Sequence, residues 1–122
     1  AIRYVTTGAY LNRIKEYENM PVAPEMEGLH NRLKTMASKY AACVAQITEA
    51  KDQELLDFCA RRLVEMAAHI IMGHLLVQDA SKNDAIFGTS AQVYVRYAES
   101  EVEKHINFIR KFDKDDLAYY RK

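Results

Sequence analysis

The chain has 122 residues, 49% of them hydrophobic, which is enough to bury a sizeable core in one domain. Its 17 basic residues balance its 17 acidic residues, so the sequence lacks the basic excess typical of proteins that bind nucleic acid or anionic membranes. The longest apolar run, residues 67–77, is interrupted by two histidines and is too short to span a bilayer.

The chain opens with Ala-Ile-Arg-Tyr, without an initiator methionine or a helix-capping residue. We therefore expect either a piece of a longer protein or a chain whose tag has been removed. A first helix is predicted over about residues 2–18, and Pro21 and Pro24 separate it from the rest. A second helix is predicted over about residues 25–50, because its apolar residues recur at alternating spacings of three and four.

The same alternation predicts a third helix over about residues 52–80. Polar residues at 81–84, with Gly-Thr-Ser at 88–90 close behind, predict a break in the helical pattern. A fourth helix is expected over about residues 90–112, and a frayed or partly docked tail follows it.

Cys43 and Cys59 lie inside these helical patterns and have no CxxC neighbour, which predicts core thiols in a protein of the reducing cytoplasm. No segment is typical of a β-strand. The sequence therefore predicts an all-α fold, an antiparallel up-and-down four-helix bundle that forms a single domain over residues 1–122.

Glu65 and His69 on the third helix share their spacing with Glu101 and His105 on the fourth, which raises the hypothesis of a metal site between facing helices. However, Glu65 and His69 lie about 100° or more around the third helix from its main apolar row, which is centred around Met66 and Ile70. This predicts that they face away from the fourth helix. We therefore predict no metal ligand, and these four residues remain the candidates if a metal site exists.

Ordinary structural roles are available to the same side chains. Arg61 and Arg62 precede Glu65 by four and three residues, so both are expected to pair with it. His105 is expected to be a core histidine with one ring nitrogen satisfied and the other near the edge of the bundle.

The third helix carries a second apolar row, formed by Val64, Ala68, Ile71 and Leu75. This row gives the helix more apolar surface than a helix of an isolated bundle needs. The first helix could cover this row, or the row could form an interface with another domain or a symmetry-related copy. Tyrosines at the edge of the fourth helix raise the same choice between core margin and partner anchor. The interface candidates are Val64, Ala68, Ile71, Leu75, Tyr94 and Tyr97.

Two stretches resemble the C-terminal helical extension of some bacterial acyl-CoA dehydrogenases. They are ELLDFCARRLVEMAAHIIMGHLLVQDA and SAQVYVRYAESEVEKHINFIRKF, joined by a polar turn. Val95-Arg96-Tyr97-Ala98 is similar to the Ala-Arg-Tyr or Ala-Arg-Phe element of that family, with valine in place of the small residue. Ser90-Ala91 stands where the family often has Lys-Leu, and the resemblance covers the last 70 residues or so best.

The resemblance implies an accessory C-terminal domain of an FAD-dependent flavoenzyme that oxidises acyl-CoA to 2-enoyl-CoA in fatty acid metabolism. Its partners would be the upstream catalytic domains of the parent chain and further copies in a homo-oligomer, with no nucleic acid and no membrane span. No catalytic or flavin-binding residue is carried over to this chain, whose four glycines are isolated and form no phosphate loop. The alternatives are a stand-alone self-associating helical module and a metal-binding four-helix bundle.

Overall fold

The computed structural model describes residues 8–111, and within this range the chain is helical and contains no β-strand. The predicted all-α four-helix bundle is confirmed. The predicted residues 2–7 of the first helix and the predicted tail lie outside the described residues. The elements in chain order are α1 (Ala9–Glu18), a short 3-10 helix (Pro24–Met26), α2 (Glu27–Glu49), α3 (Gln53–Lys82) and α4 (Asp84–Lys111).

The three long helices α2, α3 and α4 pack against one another, and α1 packs on α2 and α3. Ion pairs Arg32–Glu99 and Lys39–Glu103 join α2 to α4 with residue numbers rising together, so these two helices run parallel. The residues of the predicted apolar alternation on α2 and α3 are buried, as the spacing indicated. Among these, the large side chains that are fully buried include Leu33, Tyr40, Leu63, Met66 and Ile70.

Side-chain caps and backbone geometry set the turn between α2 and α3. Lys51 adopts a left-handed backbone conformation with φ of 52°, which is the usual way to leave a helix C-terminus. The Asp52 carboxylate then accepts hydrogen bonds from the backbone N–H groups of Glu54 and Leu55, and so satisfies donors at the start of α3.

The predicted break within residues 81–84 is present but is confined to Asn83, and the predicted start of the fourth helix near residue 90 is wrong. Helix α3 continues to Lys82, α4 begins at Asp84, and Asn83 alone separates them. The Asn83 side-chain oxygen accepts a hydrogen bond from the backbone N–H of Ile86, so a single asparagine serves as the N-cap of α4. Gly88 is buried inside α4 and does not end a helix. The Asp84 side chain occupies the space that a Cβ atom at this position would need.

Cys43 and Cys59 are free and buried, which confirms the prediction of core thiols. Burial raises the pKa of both thiols, so they remain protonated and unreactive. No helix among the described residues is long and apolar enough to cross a membrane.

Candidate functional site

The polar contacts between α3 and α4 centre on His105, which is buried. Its Nδ1 atom lies 3.1 Å from Nη1 of Arg62, and its Nε2 atom lies 3.1 Å from Oε2 of Glu65. Because a guanidinium only donates, Nδ1 must be the acceptor, and Nε2–H then donates to the carboxylate. Burial is the main cause that lowers the pKa of His105, and Arg62 lowers it too, whereas Glu65 opposes them. His105 is thus the core histidine expected from the sequence, but both of its ring nitrogens are paired where only one was expected to be.

The expected pairing of Glu65 with Arg61 is confirmed, since the two side chains lie 3.2 Å apart. Arg62 instead donates to His105 and stacks 3.6 Å above the ring of Phe108. The predicted orientation of Glu65 is wrong, because this residue faces α4. Helix α3 packs against three helices, α1, α2 and α4. The position of its main apolar row therefore does not show which side of α3 contacts α4.

A second group of contacts lies one to two turns further along α3. His69 also faces α4, contrary to prediction, and its Nδ1 atom lies 2.9 Å from the Tyr94 hydroxyl oxygen. The His69 ring meets the Tyr97 ring edge-on, with centroids 5.5 Å apart. Tyr97 donates a hydrogen bond to Glu101, whose pKa is lowered chiefly by its bond to Lys104.

Of the four metal candidates, Glu65 and His105 bond to each other, and the other two bond to residues outside the set. Glu65 is bonded to His105, His69 to Tyr94, and Glu101 to Tyr97 and Lys104. Over residues 8–111, no group of three or more His, Cys, Asp or Glu side chains could hold a metal ion. The hypothesis of a metal-binding bundle thus has no ligand cluster in this part of the chain.

The predicted second apolar row of α3 is divided between two environments. Val64 and Ile71 are partly buried and pack against the core, on a helix that α1 contacts. Ala68 is exposed, and 40% of Leu75 is accessible to solvent. The bundle therefore covers only part of the row. The exposed part is free to meet another molecule.

The tyrosine edge divides in the same way. Tyr94 is partly buried against the core. Burial is the main cause that raises the pKa of its phenol, and the nearby Tyr97 raises it further. Tyr97 is 51% exposed and shares its helix face with Ile86 at 65% and Val93 at 63%. We call Ile86, Val93 and Tyr97 the outer row of α4. Ile86 and Val93 were not among the interface residues predicted from the sequence, although spacings of seven and four residues from Ile86 to Tyr97 place all three on one face.

A buried histidine pair that sequence analysis also missed lies at the junction of α1, α2 and α3. The His74 ring stacks on Tyr17 with centroids 5.8 Å apart, and the His30 ring meets it edge-on at 5.5 Å. His30 Nε2 lies 3.0 Å from the backbone oxygen of Glu18, which ties α1 to α2. Neither ring nitrogen of His74 has a hydrogen-bond partner among the described residues. Burial lowers the pKa of His74 to about 4, and His30 and Lys34 add to this shift.

Comparisons with known proteins extend this description. The sequence matches the protein-family model described as acyl-CoA dehydrogenase C terminal over residues 6–117. It is also similar to the crystal structure of an acyl-CoA dehydrogenase family protein from Porphyromonas gingivalis, with 48% identity and a TM-score of 0.88. The match covers 93% of this chain and 97% of that chain. No curated protein matches the sequence.

Proposed function

This chain belongs to the acyl-CoA dehydrogenase C-terminal family, and we propose that it is an accessory helical domain that packs against the catalytic domains of its parent enzyme. The resemblance noted in the sequence of α3 and α4 is thereby confirmed. We further propose that residues 1–122 form a single domain of a longer chain, in which this bundle follows the catalytic domains. Its role would be to hold and stabilise the assembled enzyme.

The observation that carries this proposal is the outer row of α4. Ile86 and Val93 expose 65% and 63% of their surface, and Tyr97 exposes 51% of its surface beside them. Covering an aliphatic side chain of this size is favourable by about 1.5–3 kcal/mol, so an aligned set of such residues favours an interface. Tyr97 adds a large apolar ring with a polar tip, which is typical of residues that anchor a partner.

For the parent enzyme we propose FAD-dependent oxidation of an acyl-CoA thioester to the 2-enoyl-CoA, the activity that the family resemblance implies. Residues 8–111 do not fit a flavin, because their glycines lie singly and build no phosphate-binding loop. The groove between α2 and α4 is crossed by two ion pairs, Arg32–Glu99 and Lys39–Glu103, so it is lined by charged side chains that already bind one another. The flavin and the chemistry therefore belong to the catalytic domains in this proposal. The buried free thiols are compatible with a cytoplasmic enzyme.

Binding in trans tests the proposal. The purified chain is titrated calorimetrically into the separately expressed catalytic domains of the parent enzyme. We expect saturable binding that Val93→Glu weakens about tenfold or more, since a carboxylate would be buried in an apolar contact. Gln92→Glu is the matched control, because Gln92 is exposed on α4 next to Val93 but on another face of the helix.

Equal affinity of the Val93→Glu and Gln92→Glu variants would remove the outer row of α4 from the interface. Absence of binding by the wild-type chain would contradict the accessory role itself. In the full-length enzyme, the same substitutions are compared by thermal unfolding and by the FAD retained through purification, and only Val93→Glu is expected to lower either quantity.

A further inference from the structure

Helix α3 carries an outward stripe separate from the outer row of α4. From Arg61 to Lys82 this stripe repeats at alternating intervals of four and three residues, the same alternation that packs helices side by side in the core. Its three central members are apolar, and Met72 and Leu75 are 46% and 40% exposed. We call it the outer stripe of α3, and its residues are Arg61, Glu65, Ala68, Met72, Leu75, Asp79 and Lys82.

The outer stripe of α3 carries a cation, Arg61, before its apolar centre and an anion, Asp79, after it. Arg61 stands seven residues before Ala68, and its side chain is 91% exposed even though it contacts Glu65. Asp79 stands seven residues after Met72 and is also exposed. The cation and the anion are thus equally distant from the midpoint between Ala68 and Met72, and they are about 27 Å apart along the helix axis.

We propose that a second copy of this chain docks on the outer stripe of α3, with the two α3 helices antiparallel around a twofold axis between Ala68 and Met72. In this register Ala68 of each copy lies opposite Met72 of the other. Arg61 of each copy lies opposite Asp79 of the other, so the contact contains two equivalent ion pairs. Such a self-complementary contact is what twofold symmetry requires.

The charge pattern selects this arrangement over the parallel one. A parallel pair would place Arg61 against Arg61 and Asp79 against Asp79, and like charges in close contact are unfavourable. The small side chain of Ala68 leaves room for the longer Met72 of the second copy, which allows the helices to approach closely. Glu65 lies at the rim of the contact, because it already bonds to His105.

The contact predicts a weak dimer. Each copy contributes three apolar side chains and two charged side chains to the contact. The area that they can bury is smaller than that of a standard stable protein interface. Association in the micromolar range is therefore expected. Because the contact uses α3, it leaves the outer row of α4 open to the catalytic domains, and it does not require the proposed accessory role.

Sedimentation equilibrium of this chain over about 1 μM to 1 mM tests the proposal, since this range brackets a micromolar dissociation constant. We expect a monomer–dimer equilibrium that Arg61→Asp and Asp79→Arg each weaken about tenfold, because each substitution creates two like-charge contacts. The double variant Arg61→Asp/Asp79→Arg reverses both charges and should restore dimerisation to about the wild-type level. Arg96→Asp, an exposed charge reversal on α4, is the matched control and should change nothing.

A wild-type chain that stays monomeric throughout this range overturns the proposal. So does a double variant that dimerises as weakly as the single variants. Circular dichroism checks that each variant remains helical, and Asp79→Arg is the safer single change because a cation near the end of α3 favours the helix dipole. A monomer that still binds the catalytic domains would overturn only this proposal, whereas a dimer that fails to bind them would contradict only the accessory role.

Discussion

The Nε2 atom of His105 lies 3.1 Å from Oε2 of Glu65, which joins a buried imidazole on α4 to a half-exposed carboxylate on α3. Arg62 occupies the other ring nitrogen, so the imidazole is held between a cation and an anion of neighbouring turns. Burial lowers the pKa of His105 most. Glu65 raises this pKa, and Arg62 lowers it.

Glu65→Gln and Arg62→Gln should therefore shift the pKa of His105 in opposite directions. Removing the carboxylate lowers the pKa further, because burial and Arg62 then act without opposition. Removing the guanidinium raises the pKa. Titration of the His105 ring resonances by NMR measures both shifts. Shifts of the same sign in both variants would mean that repacking, and not charge, controls this histidine.

The bundle could be predicted from the sequence because its helices are long and strongly periodic. Alternating spacings on α2 and α3 mark the residues that the structure buries, from Leu33 and Met36 on one helix to Leu63 and Ile70 on the other. The boundary between α3 and α4 could not be found in the same way. Gly88 was interpreted as a helix breaker, although a buried glycine inside a helix leaves the periodicity intact.

The side of α3 that meets α4 was also beyond the sequence argument. A helical wheel places Glu65 and His69 relative to the apolar row but does not say which neighbouring helix lies at which angle. Because α3 contacts three other helices, polar residues well away from the row still meet a neighbour. Ala68 is exposed and Ile71 is partly buried although both belong to one apolar row, so membership of the row does not by itself set the burial of a residue.

The Asn83 cap gives a prediction about the α3–α4 junction. Asn83→Ala removes the side-chain oxygen that accepts from the Ile86 N–H, and this should lower the free energy of unfolding by about 1 kcal/mol. Asn83→Asp keeps an acceptor in place and should stay within about half of that loss. Urea denaturation followed by circular dichroism measures both. An Asn83→Ala variant as stable as wild type would show that the hydrogen bond is dispensable.

Two glycines in helices should respond oppositely to alanine. A Cβ atom on Gly73 would lie 2.6 Å from Cδ2 of the fully buried Leu33, whereas no atom lies within 4 Å of a Cβ atom on Gly28. Overpacking costs about 1–3 kcal/mol and outweighs the helix-propensity gain of about 1 kcal/mol. Gly73→Ala should therefore destabilise the bundle by about 1 kcal/mol, and Gly28→Ala should stabilise it by up to about 1 kcal/mol. Equal urea midpoints for the two variants would contradict this argument.

The buried His74 gives the stability of the chain a dependence on pH, in the same direction as the lowered pKa of His105. Its pKa is about 4 in the folded protein, against 6.5 for an ordinary histidine in the unfolded chain, because burial disfavours the charged ring. Below pH 6.5, His74 therefore binds a proton in the unfolded chain, whereas in the folded chain it stays neutral until the pH nears 4. The folded state is fully favoured above pH 6.5 and loses this advantage as the pH falls from 6.5 through 4.

We expect this loss to reach about 3 kcal/mol in the free energy of unfolding, the equivalent of the difference between the two pKa values. Urea denaturation at intervals from pH 7 to pH 4 measures it, and His74→Leu is the control because leucine has a similar volume and does not titrate. Carboxylates contribute equally to both proteins, so the difference between their pH profiles isolates His74. The variant should show the shallower profile, with α1 remaining docked at acid pH. Parallel profiles for wild type and His74→Leu would mean that the imidazole becomes hydrated and protonated in place, without cost to the packing of Tyr17 and His30 around it.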